Sequence, residues 1–244
     1  MSESELVFSI ARHAAWAPGL TTRERWAEWA REPWTIEPGE EPKVAAMPAM
    51  LRRRAGLLGR MALEVAYECL DGEKDVPTVF CSRHGEVARA VDLLGDLARG
   101  EPLSPTAFGL AVHNASAGLF SIARADRANH VALAAGSTTI EHAVIEACGQ
   151  LAEGAPKVLL VACDTTLPDP LRAFEDCEEQ PWAFAWTMVP AGLDAIRLSW
   201  RAQDAGIAAR MPGGLEVLRF QHGAESALVR DAGGKRWTWS RHAG

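Results

Sequence analysis

The stretch from Asn129 to Asp164 constrains this chain more than any other. Val131 to Ala135 is a run of small apolar residues, long enough for a strand buried on both faces. Gly136 permits a sharp turn. Thr138 and Glu141 stand at capping-box spacing, which predicts a helix start. Ile140, Ala143, Val144, Ala147 and Leu151 then recur at helical spacing and form one apolar stripe. Gly154 ends the helix, and Lys157 to Cys163 is a second apolar run of strand length. Strand, turn, helix and strand in this order predict a crossover unit with a parallel pair.

The flanks extend the pattern. Leu6 to Ile10 predicts a first strand, and Thr22 to Ala30 a short helix capped by Thr22 or Thr21. Prolines 33, 38, 42 and 48 mark a surface loop. A helix is expected from Leu51 to Leu70, ended by Asp71-Gly72, then a strand over Val76 to Cys81 and a helix over Glu86 to Ala98. Ser104 and Pro105 suit the cap and first position of another helix. Trp182 to Val189 reads as an apolar strand. Ile196, Leu198 and Trp200 alternate with polar residues, and the two segments are expected to form a hairpin. Leu215 to Phe220 fits either a short helix or a strand. Ala227 to Ser240, broken by Gly233-Gly234, reads as a terminal hairpin. One domain over 1–244 is expected from the length.

Three further segments carry a resemblance. Met50-Leu51-Arg52-Arg53-Arg54 opens a helix. Ser104-Pro105-Thr106-Ala107-Phe108 leads into His113-Asn114-Ala115-Ser116-Ala117-Gly118, similar to S-P-x-x-F followed by N-x-x-A-G. The Gly136 turn and its helix complete the set. In this order the motifs resemble the N-terminal half of the β-ketoacyl synthases, over residues 45 to 165; residues 166–244 diverge. The resemblance implies an α/β fold: a truncated, half thiolase-like fold, mainly a parallel sheet with helices on both faces and added C-terminal antiparallel strands.

Counting back from Gly154, the family's nucleophilic cysteine falls on Ser137. The family's C-terminal half, which supplies two catalytic histidines, is missing; after Gly154 the chain has only His222 and His242. The resemblance therefore implies a non-catalytic, chain-length-factor-like subunit of the kind found in aryl polyene and other type II polyketide systems. Such a subunit pairs with a full-length β-ketoacyl synthase and meets acyl carrier protein through that complex. The resemblance also places Phe108, His113, Asn114 and Ala115 along an acyl tunnel or the dimer interface. Val131, Leu133 and Ala135 fall on a strand that pairs across the dimer axis. No catalytic residue is expected.

The residues leave other readings open. Ser137 could be a nucleophile of a serine acyltransferase or thioesterase, but it needs a general base within hydrogen-bond reach. His142 is badly placed on the same helix, and His113 lies on another segment. A helix end that stabilises a thiolate cannot ionise a hydroxyl. The alternative is a cap or turn residue. A third reading is a homodimer that binds an acyl group or carrier protein. Asp164-Thr165-Thr166, just past a strand's C-terminal end, reads as loop; the acidic run Asp169, Glu175, Asp176, Glu178 and Glu179 reads as a solvated loop or a metal cluster, and the Arg52–Arg54 cluster as a solvated helix start or a site for an acidic partner. Trp237 and Trp239 share a face and could anchor a partner or close a small core.

A formal charge of −7 disfavours nucleic acid. The five cysteines lack paired ligand spacing, so neither a metal nor another cofactor is expected. The acidic N-terminus has no secretion-signal pattern and no apolar run approaches membrane-spanning length, which makes a cytoplasmic setting the expectation.

Overall fold

A computed structural model describes residues 4–203 and 210–242 of the chain. The first three residues of the acidic N-terminus and the side chain of His242 lie outside the described residues.

The alternation W-A-F-A-W in β5 (Trp182–Pro190) organises the molecule. Trp182, Phe184, Trp186 and Met188 face one core, and Ala183 and Ala185 face another. Period-two alternation sends neighbours to opposite faces of a sheet, so bulky rings fill one side while alanines admit a closely packed helix on the other. That helix is α3 (Leu57–Leu70), whose Met61, Ala62, Val65, Ala66 and Cys69 are buried. β4 (Val158–Asp164) divides in the same way: Val158, Leu160 and Ala162 join the aromatic core, and Leu159, Val161 and Cys163 the alanine side.

Eight strands form one mixed sheet. β3 (His130–Leu133), β2 (Thr78–Cys81), β4 and β5 are followed by β1 (Ser4–Trp16), β6 (Ala195–Ala202), β8 (Lys235–His242) and β7 (Ala227–Ala232). Among the described residues, only β2–β3 and β2–β4 are parallel; every other pairing is antiparallel. The half thiolase-like plan is present, but its parallel part is confined to three strands. The Asn129–Asp164 unit is a crossover in which β2 lies between β3 and β4, so the expected parallel pair is not adjacent.

The expected hairpin of β5 and β6 does not form. β1 runs between them, pairing Phe8–Trp16 with β5 and Ser4–Phe8 with β6. Residues 191–194 span up to about 13 Å, enough to step over one strand at about 4.8 Å spacing. The first strand is correspondingly much longer than Leu6–Ile10. The β7–β8 hairpin does form, through Gly233 and Gly234, both at positive φ.

α1 (Arg23–Arg31) is capped by Thr22, whose Oγ1 accepts the Arg25 N–H at 3.4 Å. The Leu51–Leu70 helix is broken into α2 (Ala49–Arg52) and α3. Within α3, Gly59 leaves room for Glu86: a Cβ there would lie 3.2 Å from Glu86 Oε1 and 3.2 Å from Ser116 Oγ. α4 (Val87–Arg99) and α5 (Pro105–Gly109) follow as expected, with Ser104 Oγ accepting the Ala107 N–H, and α6 (Ala115–Arg124) comes next. α7 (Thr139–Ala152), α8 (Gly213–His222) and α1 cover the aromatic face. Leu215–Phe220 is therefore helix, because Leu215, Val217, Leu218 and Phe220 are needed over that face. Trp237 and Trp239 are wholly buried there.

Candidate functional site

Three connections leave the C-terminal ends of the parallel strands: Ser82–Gly85 after β2, Ala134–Ser137 after β3, and Thr165–Leu167 after β4, whose last residue is Asp164. Open α/β sheets gather their sites at such ends. Ser137 lies in a short 3₁₀ turn, Gly136–Thr138, leading into α7, with Gly136 at φ +57°.

Ser137 is exposed, and among the described residues no hydrogen bond involves its hydroxyl. Neither candidate base reaches it. His113 Nε2 is bonded to the Ser82 carbonyl at 2.9 Å, and His142 Nδ1 to the Thr138 carbonyl at 2.9 Å. The turn is held by Thr139, not by a capping box. Thr139 Oγ1 accepts the Ala135 N–H at 3.0 Å and donates to the Gly136 carbonyl at 2.7 Å, while Thr138 Oγ1 donates back to the Ala135 carbonyl.

Glu141 turns inward instead of capping. Completely buried, it is ion-paired with Arg230 of β7, which also bonds Glu216 of α8 at 2.5 Å and donates to the Ser137 carbonyl at 3.3 Å. A Cβ on Gly233 would lie 2.8 Å from Thr138 Cγ2, so the hairpin turn rests on the Ser137 turn. The terminal hairpin thus closes the region behind the position of the expected nucleophile. Arg230 carried no signal in its own segment; its role exists only once β7 lies beside α7.

Asp164 belongs to a built network. Its Oδ1 accepts the Ser82 hydroxyl at 2.8 Å and the Arg83 N–H at 2.9 Å, and the Gly85 N–H donates to Ser82 Oγ at 2.8 Å. Burial pushes the Asp164 carboxyl up to about 6, against the lowering effect of these bonds. Glu179, read from sequence as solvated, is nearly buried. It accepts from Leu167 N at 2.8 Å, meets His84 Nε2 at 2.8 Å and Arg83 at 3.5 Å, and Arg83 also holds Asp176. Glu178 pairs with Arg210. Asp169 pairs with Arg172 on the surface, as a solvated residue would. Arg83 is the residue sequence reading missed: one arginine after a buried strand organises residues 167–179.

The remaining expected site residues lie on α5, at the start of α6 and on and just after β3. Phe108 is 67% exposed, and Leu94, Leu97, Leu103 and Val112 are exposed with it. His113 and Asn114 are exposed, whereas Ala115 is buried at the start of α6. Val131, Leu133 and Ala135 are half-buried; the first two lie on β3, an edge strand of the sheet that pairs only with β2. Among the described residues, no three histidine, cysteine or acidic side chains converge as metal ligands, and no helix is long and apolar enough to cross a membrane. All five cysteines are free.

The sequence profile described as "Beta-ketoacyl synthase, N-terminal domain" matches residues 26–240. The chain belongs to the β-ketoacyl synthase N-terminal domain family. The match reaches well past the motifs at 45–165 and includes the terminal strands. No curated protein sequence matches the chain. Among solved structures, this family member is similar to a chain of the complex of the ketosynthase ApeO with its chain length factor ApeC from Xenorhabdus doucetiae. The TM-score is 0.86 at 27% identity, covering 97% of this chain and 100% of that one. The ishigamide ketosynthase/chain length factor shares the fold at TM-score 0.62 and 14% identity, covering 81% of this chain and 68% of that one. A β-ketoacyl synthase from Burkholderia phymatum STM815 gives 0.61 at 11% identity, covering 91% and 71%.

Proposed function

We propose that this chain is a chain-length-factor-like, non-catalytic subunit that pairs with a cysteine-bearing β-ketoacyl synthase. The observation that carries the reading is an asymmetry of cover. The region behind Ser137 is closed by the chain's own hairpin through Arg230 and Gly233, whereas the β3 edge and the Phe108–Val112 side are open. An exposed edge strand invites pairing, and a grouped set of exposed large apolar residues marks a contact surface. The similarity to a chain of the ApeO–ApeC complex, over the whole of that chain, supports the same reading.

The division of labour follows from the chemistry. A hydroxyl without a base does not take up an acyl group, so the partner supplies nucleophile and histidines for the decarboxylative condensation of acyl-carrier-protein thioesters. This chain stabilises the partner along β3, and Phe108, His113 and Asn114 shape the tunnel that limits product length. Ala115 acts from beneath, by packing the start of α6. The free cysteines fit a reducing, cytoplasmic setting.

Co-expression with full-length ketoacyl synthases, followed by gel filtration and light scattering, tests the proposal. A one-to-one complex is the expected result. A well-behaved homodimer or monomer that ignores every synthase overturns it; a stable homodimer then favours the acyl- or carrier-binding reading, and a monomer directs attention to Ser137 and acyl-thioester turnover.

A further inference from the structure

His113 is exposed yet held in place by three separate devices. Its Nε2 lies 2.9 Å from the Ser82 carbonyl oxygen. A carbonyl only accepts, so Nε2 carries the proton and the neutral ring keeps its lone pair on Nδ1. The ring rests on Gly85, where a Cβ would lie 2.8 Å from His113 Cδ2; the φ of +60° at Gly85 also favours glycine. The backbone that carries the accepting carbonyl is pinned in turn, because Ser82 Oγ bridges the Gly85 N–H and the buried Asp164 carboxylate. Among the described residues nothing is hydrogen-bonded to Nδ1.

An exposed side chain gains little stability from being fixed so thoroughly, since immobilising it costs rotamer entropy. Pre-organisation does help a group that must meet a partner, because the ordering cost is met before binding. Phe108 and Val112, a few residues earlier, are exposed and apolar, so His113 is a polar group beside a hydrophobic contact surface. An acceptor buried there without a donor is penalised, and with one it fixes the register of docking.

We propose that His113 is a preset hydrogen-bond acceptor of the docking face, its Nδ1 receiving a hydroxyl or N–H of the partner synthase. The proposal rests on the partner-subunit reading. It adds a specific polar contact, and a direction for it, to a surface otherwise described by apolar residues.

The test compares dissociation constants for the synthase captured by co-expression. His113→Gln keeps a donor able to reach the Ser82 carbonyl but removes the Nδ1 acceptor; His113→Asn sets an amide oxygen near the Nδ1 position. Binding should weaken about tenfold for the Gln variant and stay within about threefold for the Asn variant. Nitrogen-15 NMR of the free wild-type chain in alkaline buffer should find the neutral ring's proton on Nε2, and the Nδ1 resonance should move when the complex forms. Wild-type affinity in the Gln variant, or an Nδ1 resonance indifferent to the synthase, overturns the inference while leaving the partner reading intact. Failure of the wild-type chain to bind any synthase removes both.

Discussion

Arg230 on β7 is ion-paired with Glu141 in the first turn of α7, and both side chains are almost fully buried. The same guanidinium donates to the carbonyl of Ser137 and to Glu216. One residue of the terminal hairpin therefore holds the N-terminal end of α7 beside Ser137. Gly213 makes room for it: a Cβ there would lie 2.1 Å from Arg230 Nη2.

Arg230→Met should destabilise the chain by about 3 kcal/mol, because it leaves a buried carboxylate without its partner. Adding Glu141→Gln to that variant should restore most of the loss. Urea unfolding followed by tryptophan fluorescence measures both, and equal stability of the single and double variants would contradict the buried-pair account.

Two groups set opposing pH dependences. Burial lowers His222 to about 4 and also depresses His13, whose ring centroid lies 5.4 Å from it. For a histidine depressed on folding, the unfolded chain binds protons first. That contribution is complete above about 6.5 and declines as pH falls toward 4. Asp164 is raised from 3.8 to about 6, so its contribution is complete below 3.8 and is lost as pH rises to about 6. Relative to wild type, Asp164→Asn should gain stability as pH rises from 4 to 6, and His222→Phe should gain as pH falls from 6.5 to 4. Urea midpoints across this range provide the measurement; parallel curves for wild type and variants would exclude the assignment.

Ser137→Ala should leave the product yield of the assembled synthase pair within about twofold, since its hydroxyl has no base to act with. Ser137→Cys should gain reactivity toward iodoacetamide but should not turn over acyl thioesters in the isolated chain. Mass spectrometry after incubation with an acyl-thioester probe would expose the opposite outcome as a stable acyl adduct on wild-type Ser137.

Phe108→Ala removes a large exposed side chain with little buried contact. Stability should change by less than about 0.5 kcal/mol, the usual range for surface positions, while the product distribution of the pair shifts to greater length. A large residue at Ala115 should instead destabilise α6, because that position is already filled. Unchanged products from Phe108→Ala would remove it from the tunnel.

Much of the fold was legible because its signals are local. The caps at Thr22 and Ser104, the turn at Gly136 and the glycine pair at Gly233-Gly234 each bind or bend their own neighbours. The W-A-F-A-W alternation identified a strand but not its neighbours. Pairing of β1 between β5 and β6 joins residues nearly two hundred positions apart, and nothing in either segment names the other.

At the site, the sequence by itself determined that Ser137 stands at the turn of a strand–turn–helix unit. Only the tertiary structure decided what surrounds that turn. Glu141, spaced as a capping residue, became one member of a buried pair because Arg230 arrives from a strand almost ninety residues later. Acidic Glu179 became a buried anchor because Arg83 lies beneath it. A charge acquires its role from the group opposite it and from the water excluded between them, and both are set by packing.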